Sequence, residues 1–260
     1  MAEVSVDGVR FHVQRLGSGG RLVVFVHGLV MDNLSSWYFT LANPVARFAE
    51  VLLYDLRGHG RSERPASGYR LERMVADLAG ILDQRGTAGR PVALVGNSFG
   101  ALLALAFAVA HPRRVDGLVL VDGHLSDPRW AAQMQETLRL QGAERIEMIV
   151  KHFSNWLGRH SARKRNRLAE TARSLVEETT LVDDLGATPT YGEEQLASIR
   201  CPVLAVYGEN SDILSHGRRI AAAVPRCDLR IYAGCTHSVI WEATARLRDD
   251  VVDWLSPNRG

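Results

Sequence analysis

The chain has 260 residues, 46% hydrophobic and 23% charged, an ordinary globular composition that excludes wholesale disorder and can bury a substantial core. Its formal net charge of +2 is too small to point to a nucleic-acid or acidic-membrane partner. Three cysteines, odd in number and without CxxC or Cys/His metal spacing, argue against a disulfide framework and a zinc site and suit reduced thiols in a cytoplasmic protein.

The N-terminus alternates polar and apolar residues and lacks the basic-then-apolar pattern of a secretory signal. Val4–Val6 and Val9–Gln14 predict a hairpin turning at Asp7-Gly8. Leu22–Val26 and Val51–Tyr54 are continuous apolar runs, as expected of strands buried on both faces of a parallel sheet. Leu71, Met74, Val75, Leu78, Ile81 and Leu82 recur at helical spacing over Leu71–Gln84. A third buried strand covers Pro91–Val95, and Phe99–Ala110 reads as a helix apolar on nearly every side, hence deep in the molecule. Its apolar run, Ala101 to Ala110, is about half of what a membrane span requires. Val115–Val121 gives a fourth strand.

The alternation then stops. Residues 125–200 show helical periodicity without strand runs, after which Pro202–Tyr207 (strand), Arg218–Val224 (helix), Leu229–Tyr232 (strand) and Ala243–Leu255 (helix) resume the pattern. We therefore expect an α/β core of residues 1–124 and 201–260, interrupted by a helical cap at 125–200. An insertion of that length is usually functional, and we expect it over the carboxyl ends of the strands, where open α/β sheets bind ligands.

The sharpest local signal is Gly96-Asn97-Ser98-Phe99-Gly100, which fits G-x-S-x-G, follows a strand and opens the apolar helix. A turn this tight strains its central residue, demands glycines on either side, and lifts the serine hydroxyl above the sheet at the positive end of a helix. A serine hydroxyl needs a base, and the base an orienting acid; in this arrangement the chain order is Ser, then Asp or Glu, then His. His237 follows the last strand and is the base of choice; His216 reads as a surface residue. Asp212, after the penultimate strand, is the expected acid, with Glu209 and Asp122 as alternatives. The oxyanion donors are expected to be the backbone amides of Phe99 and Leu29, in the loop His27-Gly28-Leu29-Val30. His27 reads as a structural residue that stitches this loop through its ring nitrogens.

These motifs occur in a recognisable order. Val24-Phe25-Val26-His27-Gly28, Tyr54-Asp55-Leu56-Arg57-Gly58-His59-Gly60-Arg61-Ser62, the Ser98 motif, Tyr207-Gly208-Glu209-Asn210-Ser211-Asp212 and Gly234-Cys235-Thr236-His237 together resemble the α/β-hydrolase fold family over nearly the whole chain outside the cap. The resemblance implies an eight-stranded, mostly parallel sheet with helices on both faces, an inserted helical cap, and catalysis that needs no cofactor. It also implies that the Asp55–Ser62 stretch is a structural turn, so His59 is not counted as catalytic. Two departures stand out. The family places its acid three residues after the glycine, whereas Asp212 stands four after Gly208, a one-residue extension. The nucleophile position holds Ser98 and not Asp, which argues against the haloalkane dehalogenase and epoxide hydrolase branches.

Weaker signals surround these. Val30, Trp37 and Trp241, with Trp156 in the cap, are candidates to line an apolar acyl pocket, as are Tyr38, Phe39, Trp130 and Phe153; core packing is the plainer reading of each aromatic. The basic run Arg159–Arg167 is either a solvated helix face or a docking patch for a phosphate-bearing acyl carrier, coenzyme A or a carrier protein. The reading is a serine hydrolase for a small-molecule ester or thioester, with no nucleic-acid or membrane partner. Its rivals are carbon–carbon bond hydrolysis of a diketone-like substrate, suggested by Asn97 before the serine, perhydrolase or haloperoxidase-like chemistry, and a ligand receptor that has kept the fold.

Overall fold

Asp7 and Gly8 both adopt left-handed backbone, with φ of 47° and 82°, the pair of positive values that a two-residue hairpin needs. They join β1 (Ala2–Val6) to β2 (Val9–Leu16) in antiparallel register, Val6 opposite Val9. The structure is a computed structural model and describes residues 2–30, 32–84, 89–126, 132, 136 and 173–257.

The hairpin forms one end of a single eight-stranded sheet ordered β1-β2-β4-β3-β5-β6-β7-β8. Its other members are β3 (Leu22–Val26), β4 (Glu50–Tyr54), β5 (Val92–Asn97), β6 (Val115–Val121), β7 (Val203–Gly208) and β8 (Cys227–Tyr232). β2 runs antiparallel to β4; from β4 onward every neighbouring pair is parallel. The chain leaves β3 for β4 on one side and returns to lay β5 on the other. The loops after β3 and β5 therefore part at a switch in strand order, where an open α/β sheet leaves a crevice.

The pleat divides the sheet's apolar residues between two layers. Val23 and Phe25 of β3 join Trp37, Leu41, Val45, Leu247, Val251 and Trp254 on one face. Leu22, Val24 and Val26 join Leu78, Ile81, Leu102 and Phe107 on the other. The helices Leu71–Gln84 and Phe99–Ala110 cover this second face, and Phe99 through Ala108 are all buried, as an all-round apolar helix requires. The first face is covered by Thr244–Leu255 and by a helical stretch from Ser35 to Val45 whose middle, Tyr38–Ala42, is π-helical. This last stretch has no counterpart in the sequence reading. The helix expected from Arg218 begins at Leu214 instead, because His216 and Gly217 face the core: a Cβ on Gly217 would lie 2.6 Å from the Tyr207 ring.

Between β6 and β7, the described residues are helical at 173–177, Leu181–Gly186 and Glu193–Ala197. Leu175 is fully buried, its Cδ1 2.6 Å from where a Gly58 Cβ would stand. Trp130, Phe153, Trp156 and the basic run Arg159–Arg167 lie outside the described residues. No described helix is long and apolar enough to cross a membrane.

The turn after β4 is fastened to the Leu71–Gln84 helix by a bidentate pair, Arg57 Nε to Asp77 Oδ2 at 2.6 Å and Nη2 to Oδ1 at 2.7 Å. Both side chains are only 3% exposed. Removing one member of such a pair strands a buried charge, so we expect Asp77→Asn to lower unfolding free energy by about 3–5 kcal/mol in urea titrations. A loss under 1 kcal/mol would show that the pair contributes little.

Candidate active site

β5 ends in the sharp turn expected of its glycines. Ser98 has φ 54° and ψ −118°, a strained conformation for a non-glycine residue costing roughly 1–3 kcal/mol. The close approach leaves no room at the flanks: a Cβ on Gly96 would lie 2.3 Å from the Gly100 carbonyl oxygen, and one on Gly100 2.3 Å from that of Val26. The Ser98 N–H donates to Val121 O at 2.9 Å, which ties the turn to the end of β6.

Ser98 Oγ stands 3.0 Å from His237 Nε2. His237 reaches it from the loop after β8. Asn210 N–H and the side chain of Glu242 hold that loop from two directions: Asn210 N donates to Cys235 O, and Glu242 accepts from both Thr236 N and Thr236 Oγ1. A Cβ on Gly208 would sit 2.4 Å from Thr236 O, so only glycine lets β7 end this close to the loop that carries His237.

The carboxylate on His237 is that of Asp122, not Asp212. His237 Nδ1 donates to Asp122 Oδ2 at 2.6 Å. Asp122 follows β6, has φ 44° and is fully buried. Its Oδ2 also accepts from Ser211 Oγ at 2.7 Å and its Oδ1 from Gly208 N at 3.1 Å, so three donors fix and compensate the buried charge. Asp212 is exposed. The residue three positions after Gly208, where the resemblance implies an acid, is Ser211, and its hydroxyl completes the shell of an acid delivered by the neighbouring strand. Glu209 is also displaced from that role and accepts Gly234 N–H at 2.9 Å.

With Nδ1 donating to a carboxylate, neutral His237 presents a lone pair at Nε2 toward the serine. Burial alone would lower its pKa; the hydrogen bond and charge of Asp122, joined by the charge of Asp212, outweigh that and raise it above the ordinary histidine value. His124, two residues after Asp122, packs its ring 5.3 Å from that of His237. Burial, then the charges of His237 and His216, push its pKa well down, so it stays neutral. His216 is itself buried, a correction to its reading as a surface residue, and its Nδ1 accepts Leu125 N–H at 3.1 Å.

Facing Ser98 across the crevice is the loop after β3. A Cβ on Gly28 would lie 3.6 Å from Ser98 Cβ and 3.5 Å from Asn97 Nδ2. Gly28 N donates to Asp32 Oδ2 at 2.8 Å and Val30 N to His59 Nε2 at 2.8 Å. Between them, the Leu29 N–H has no hydrogen-bond acceptor among the described residues. Phe99, first residue of its helix, likewise has no carbonyl one turn back to engage. Of the pocket candidates, Trp37 is a core residue: its indole N–H donates to Val26 O at 3.0 Å and its ring lies 5.2 Å from Phe25, so burial under the sheet and not a pocket explains it. Val30 is buried beside His59, Trp241 is partly buried against both core layers, and Trp156 is outside the described residues. Asp32, Ser211 and His124 are site neighbours that the sequence reading missed. Only Ser211 carried a signal, its place three residues after Gly208.

The family described as "Alpha/beta hydrolase family" matches residues 23–250. A protein of Cupriavidus pinatubonensis named 2-hydroxy-6-oxononadienedioate/2-hydroxy-6-oxononatrienedioate hydrolase is 30% identical over 95% of this chain and 90% of its own. One of the same name from Burkholderia vietnamiensis is 28% identical over 95% and 91%. Among solved structures, an enol-lactonase from Burkholderia xenovorans superposes with a TM-score of 0.79 at 20% identity, covering 98% of this chain and 99% of that one.

With His237 as the base, which must be neutral to accept the serine proton, we expect activity to fall as pH drops through its raised pKa. Asp212→Asn removes one of the charges that raise it. The acidic limb of the kcat/KM–pH profile should then move to lower pH with maximal activity within a few-fold of wild type. Asp122→Asn, which deprives Nδ1 of its carboxylate, should cost about 10⁴ in kcat. The reverse ranking of the two variants would restore Asp212 as the acid.

Proposed function

The chain belongs to the alpha/beta hydrolase family, and we propose that it is a serine hydrolase in which Ser98, His237 and Asp122 cleave an ester or thioester through an acyl-enzyme. The observation that carries this reading is the continuous relay from Ser98 Oγ to His237 Nε2 (3.0 Å) and from His237 Nδ1 to Asp122 Oδ2 (2.6 Å). His237 takes the Ser98 proton as Oγ attacks the carbonyl, and Asp122 stabilises the resulting imidazolium. The amides of Phe99 and Leu29 receive the developing oxyanion, held in place before the reaction begins. Collapse of the tetrahedral intermediate expels the alcohol or thiol, which takes its proton from His237. Water, deprotonated by the same nitrogen, then releases the acid and regenerates Ser98. No step needs a cofactor. Cytoplasmic action belongs to the same reading and is supported by three cysteines that are free thiols.

A second reading is favoured by one finding. Relatives 28–30% identical across nearly the whole chain are named hydrolases of 2-hydroxy-6-oxononadienedioate. The bond cleaved in such a substrate would join carbon to carbon. The same triad serves: the 6-oxo carbon is attacked, and the leaving carbon must depart as an electron-delocalised carbanion that is protonated as it leaves. The asparagine before the serine, Asn97, whose Nδ2 lies 3.5 Å from where a Gly28 Cβ would stand, supports this reading.

One panel tests both. Purified wild type and Ser98→Ala are offered oxygen esters and acyl thioesters of rising chain length, and a 2-hydroxy-6-oxodienoate whose loss is followed by absorbance. We expect wild-type turnover that falls by about 10⁴ or more in Ser98→Ala. Preference for the esters or thioesters supports the first reading and preference for the dienoate the second. Full activity in Ser98→Ala would overturn the serine mechanism.

A further inference from the structure

His27 and His59 lie outside the relay, yet both are buried, at 0% and 1% exposure, and their rings are 5.3 Å apart beneath the loop that carries Leu29. Their hydrogen bonds are reciprocal. His27, on the loop after β3, accepts at Nε2 from Leu56 N on the turn after β4 (2.9 Å). His59, on the turn after β4, accepts at Nε2 from Val30 N on the loop after β3 (2.8 Å). A backbone amide can only donate, so both Nε2 atoms are bare. Each ring then carries its single proton on Nδ1, where His27 donates to Gly28 O at 2.6 Å and His59 to Arg57 O at 2.7 Å. The two loops are clasped twice, each ring reading an amide of the other loop and a carbonyl near its own.

What the clasp holds is strained. Val30 is β-branched and sits at φ 66°, a genuine outlier for such a side chain. The bond from its N–H to His59 compensates that conformation, and the Val30 backbone sets the direction of the peptide that bears Leu29. On the other flank, Gly28 is fixed at its N–H by Asp32 and at its carbonyl by His27. Asp32 is in turn occupied by Asn33 N and the Ser36 hydroxyl. Both neighbours of the Leu29 amide are thus pinned, within reach of Ser98.

We propose that His27 and His59 are positioning residues for the oxyanion hole: a neutral, reciprocal histidine clasp that keeps the Leu29 N–H aimed at the site above Ser98. The proposal rests on the serine reading. Its chemistry follows from acceptor geometry, since a protonated ring would face an amide N–H with a second N–H and turn a hydrogen bond into a repulsion. Burial above all, then the adjoining His27 ring and the Arg64 cation, against the Arg57 carbonyl, push the His59 pKa down to about 3, so its half of the clasp stays closed across the working range.

The test separates positioning from mere support of the fold. His59→Phe keeps the ring's bulk and loses the acceptor; His59→Gln restores an acceptor near the Nε2 position. Each is measured for kcat and KM on an ester that wild type turns over, for inhibition by a boronic acid, whose tetrahedral adduct on Ser98 places an oxygen in the oxyanion hole, and for thermal unfolding. In His59→Phe we expect kcat to fall by about 10²-fold, the scale on which a misplaced group costs rate, with KM within about twofold. Boronate affinity should fall by a similar factor, and His59→Gln should recover most of both. If His59→Phe does not fold, His59→Gln decides alone: near-wild-type kcat and boronate affinity support the clasp. A folded His59→Phe with unchanged kcat overturns it, as does a loss of kcat in either variant without loss of boronate affinity. Ser98→Ala run alongside keeps the two hypotheses apart. Activity surviving in Ser98→Ala defeats the serine reading, whereas an inert Ser98→Ala beside an unaffected His59→Phe defeats only the clasp.

Discussion

At the end of β5 the chain passes from strand to helix through one left-handed serine, and the packing around that residue dictates much else. Because Gly100 has no side chain, the first turn of the Phe99–Ala110 helix comes close enough to β3 that a Cβ there would lie 2.3 Å from Val26 O and 2.5 Å from His27 O. The loop after β3 is thereby brought against Ser98, with Gly28 beside its Cβ. The same approach buries the helix to its tenth residue, so the apolar character of Phe99–Ala108 is a steric consequence of where its N-terminus must stand. The strain at Ser98 is sustained by that burial and by the bond from its N–H to Val121 O. A mobile serine would lose the 3.0 Å approach to His237; a rigid helix retains it.

Which carboxylate meets His237 follows from sheet geometry. β6 and β7 are parallel neighbours, Val121 opposite Val206, and adjacent strands lie about 4.8 Å apart. Both strand ends open onto the same side of His237, so a carboxylate carried by either can meet Nδ1. Here the longer reach falls to β6: Asp122 takes a left-handed φ, donates its own N–H to Val206 O at 2.7 Å, and turns its carboxylate toward the end of β7. Ser211 then supplies a donor where the resemblance implies an acid. The hydroxyl can fill that role only because a second carboxylate beside Asp122 would repel it, whereas an O–H compensates its charge.

The parts of this arrangement visible in the sequence are those governed by local rules. Strand runs, the 71–84 helix and the Ser98 turn depend on periodicity and on glycines at fixed offsets, and the structure reproduces them within a residue or two. Helix starts at Leu214 and Ser35 were not legible, because their inward faces carry His216, Gly217 and Trp37, whose burial depends on partners distant in the chain. The choice between Asp122 and Asp212 belongs to the same class. Both follow a strand and both precede His237, and only the pairing of β6 with β7 decides which one is buried. The extra residue between Gly208 and Asp212 was the single local trace of that decision, and it reads as a loop extension until Ser211 is seen bonded to Asp122. Trp37, as an aromatic near the oxyanion loop, had equal claim to pocket and core until its indole met Val26 O.

The site also shows one side chain used in opposite electrostatic senses. His27, His59 and His216 each accept a backbone N–H, from Leu56, Val30 and Leu125 respectively. An amide donor occupies one ring nitrogen's lone pair and so fixes which nitrogen carries the proton. His237 has the inverse setting. Its Nδ1 faces the Asp122 carboxylate, so the charged form is favoured in spite of burial, and its Nε2 is left to the serine. Burial is not what sets His237 apart in kind, since it is itself partly buried while the other three are more deeply so. The partner does: a donor locks a histidine into a structural tautomer, and an acceptor carboxylate prepares it to take a proton. That distinction also limits where positive charge can form. In the proposed reaction the proton that Ser98 gives up is held by the one imidazole whose other nitrogen faces Asp122.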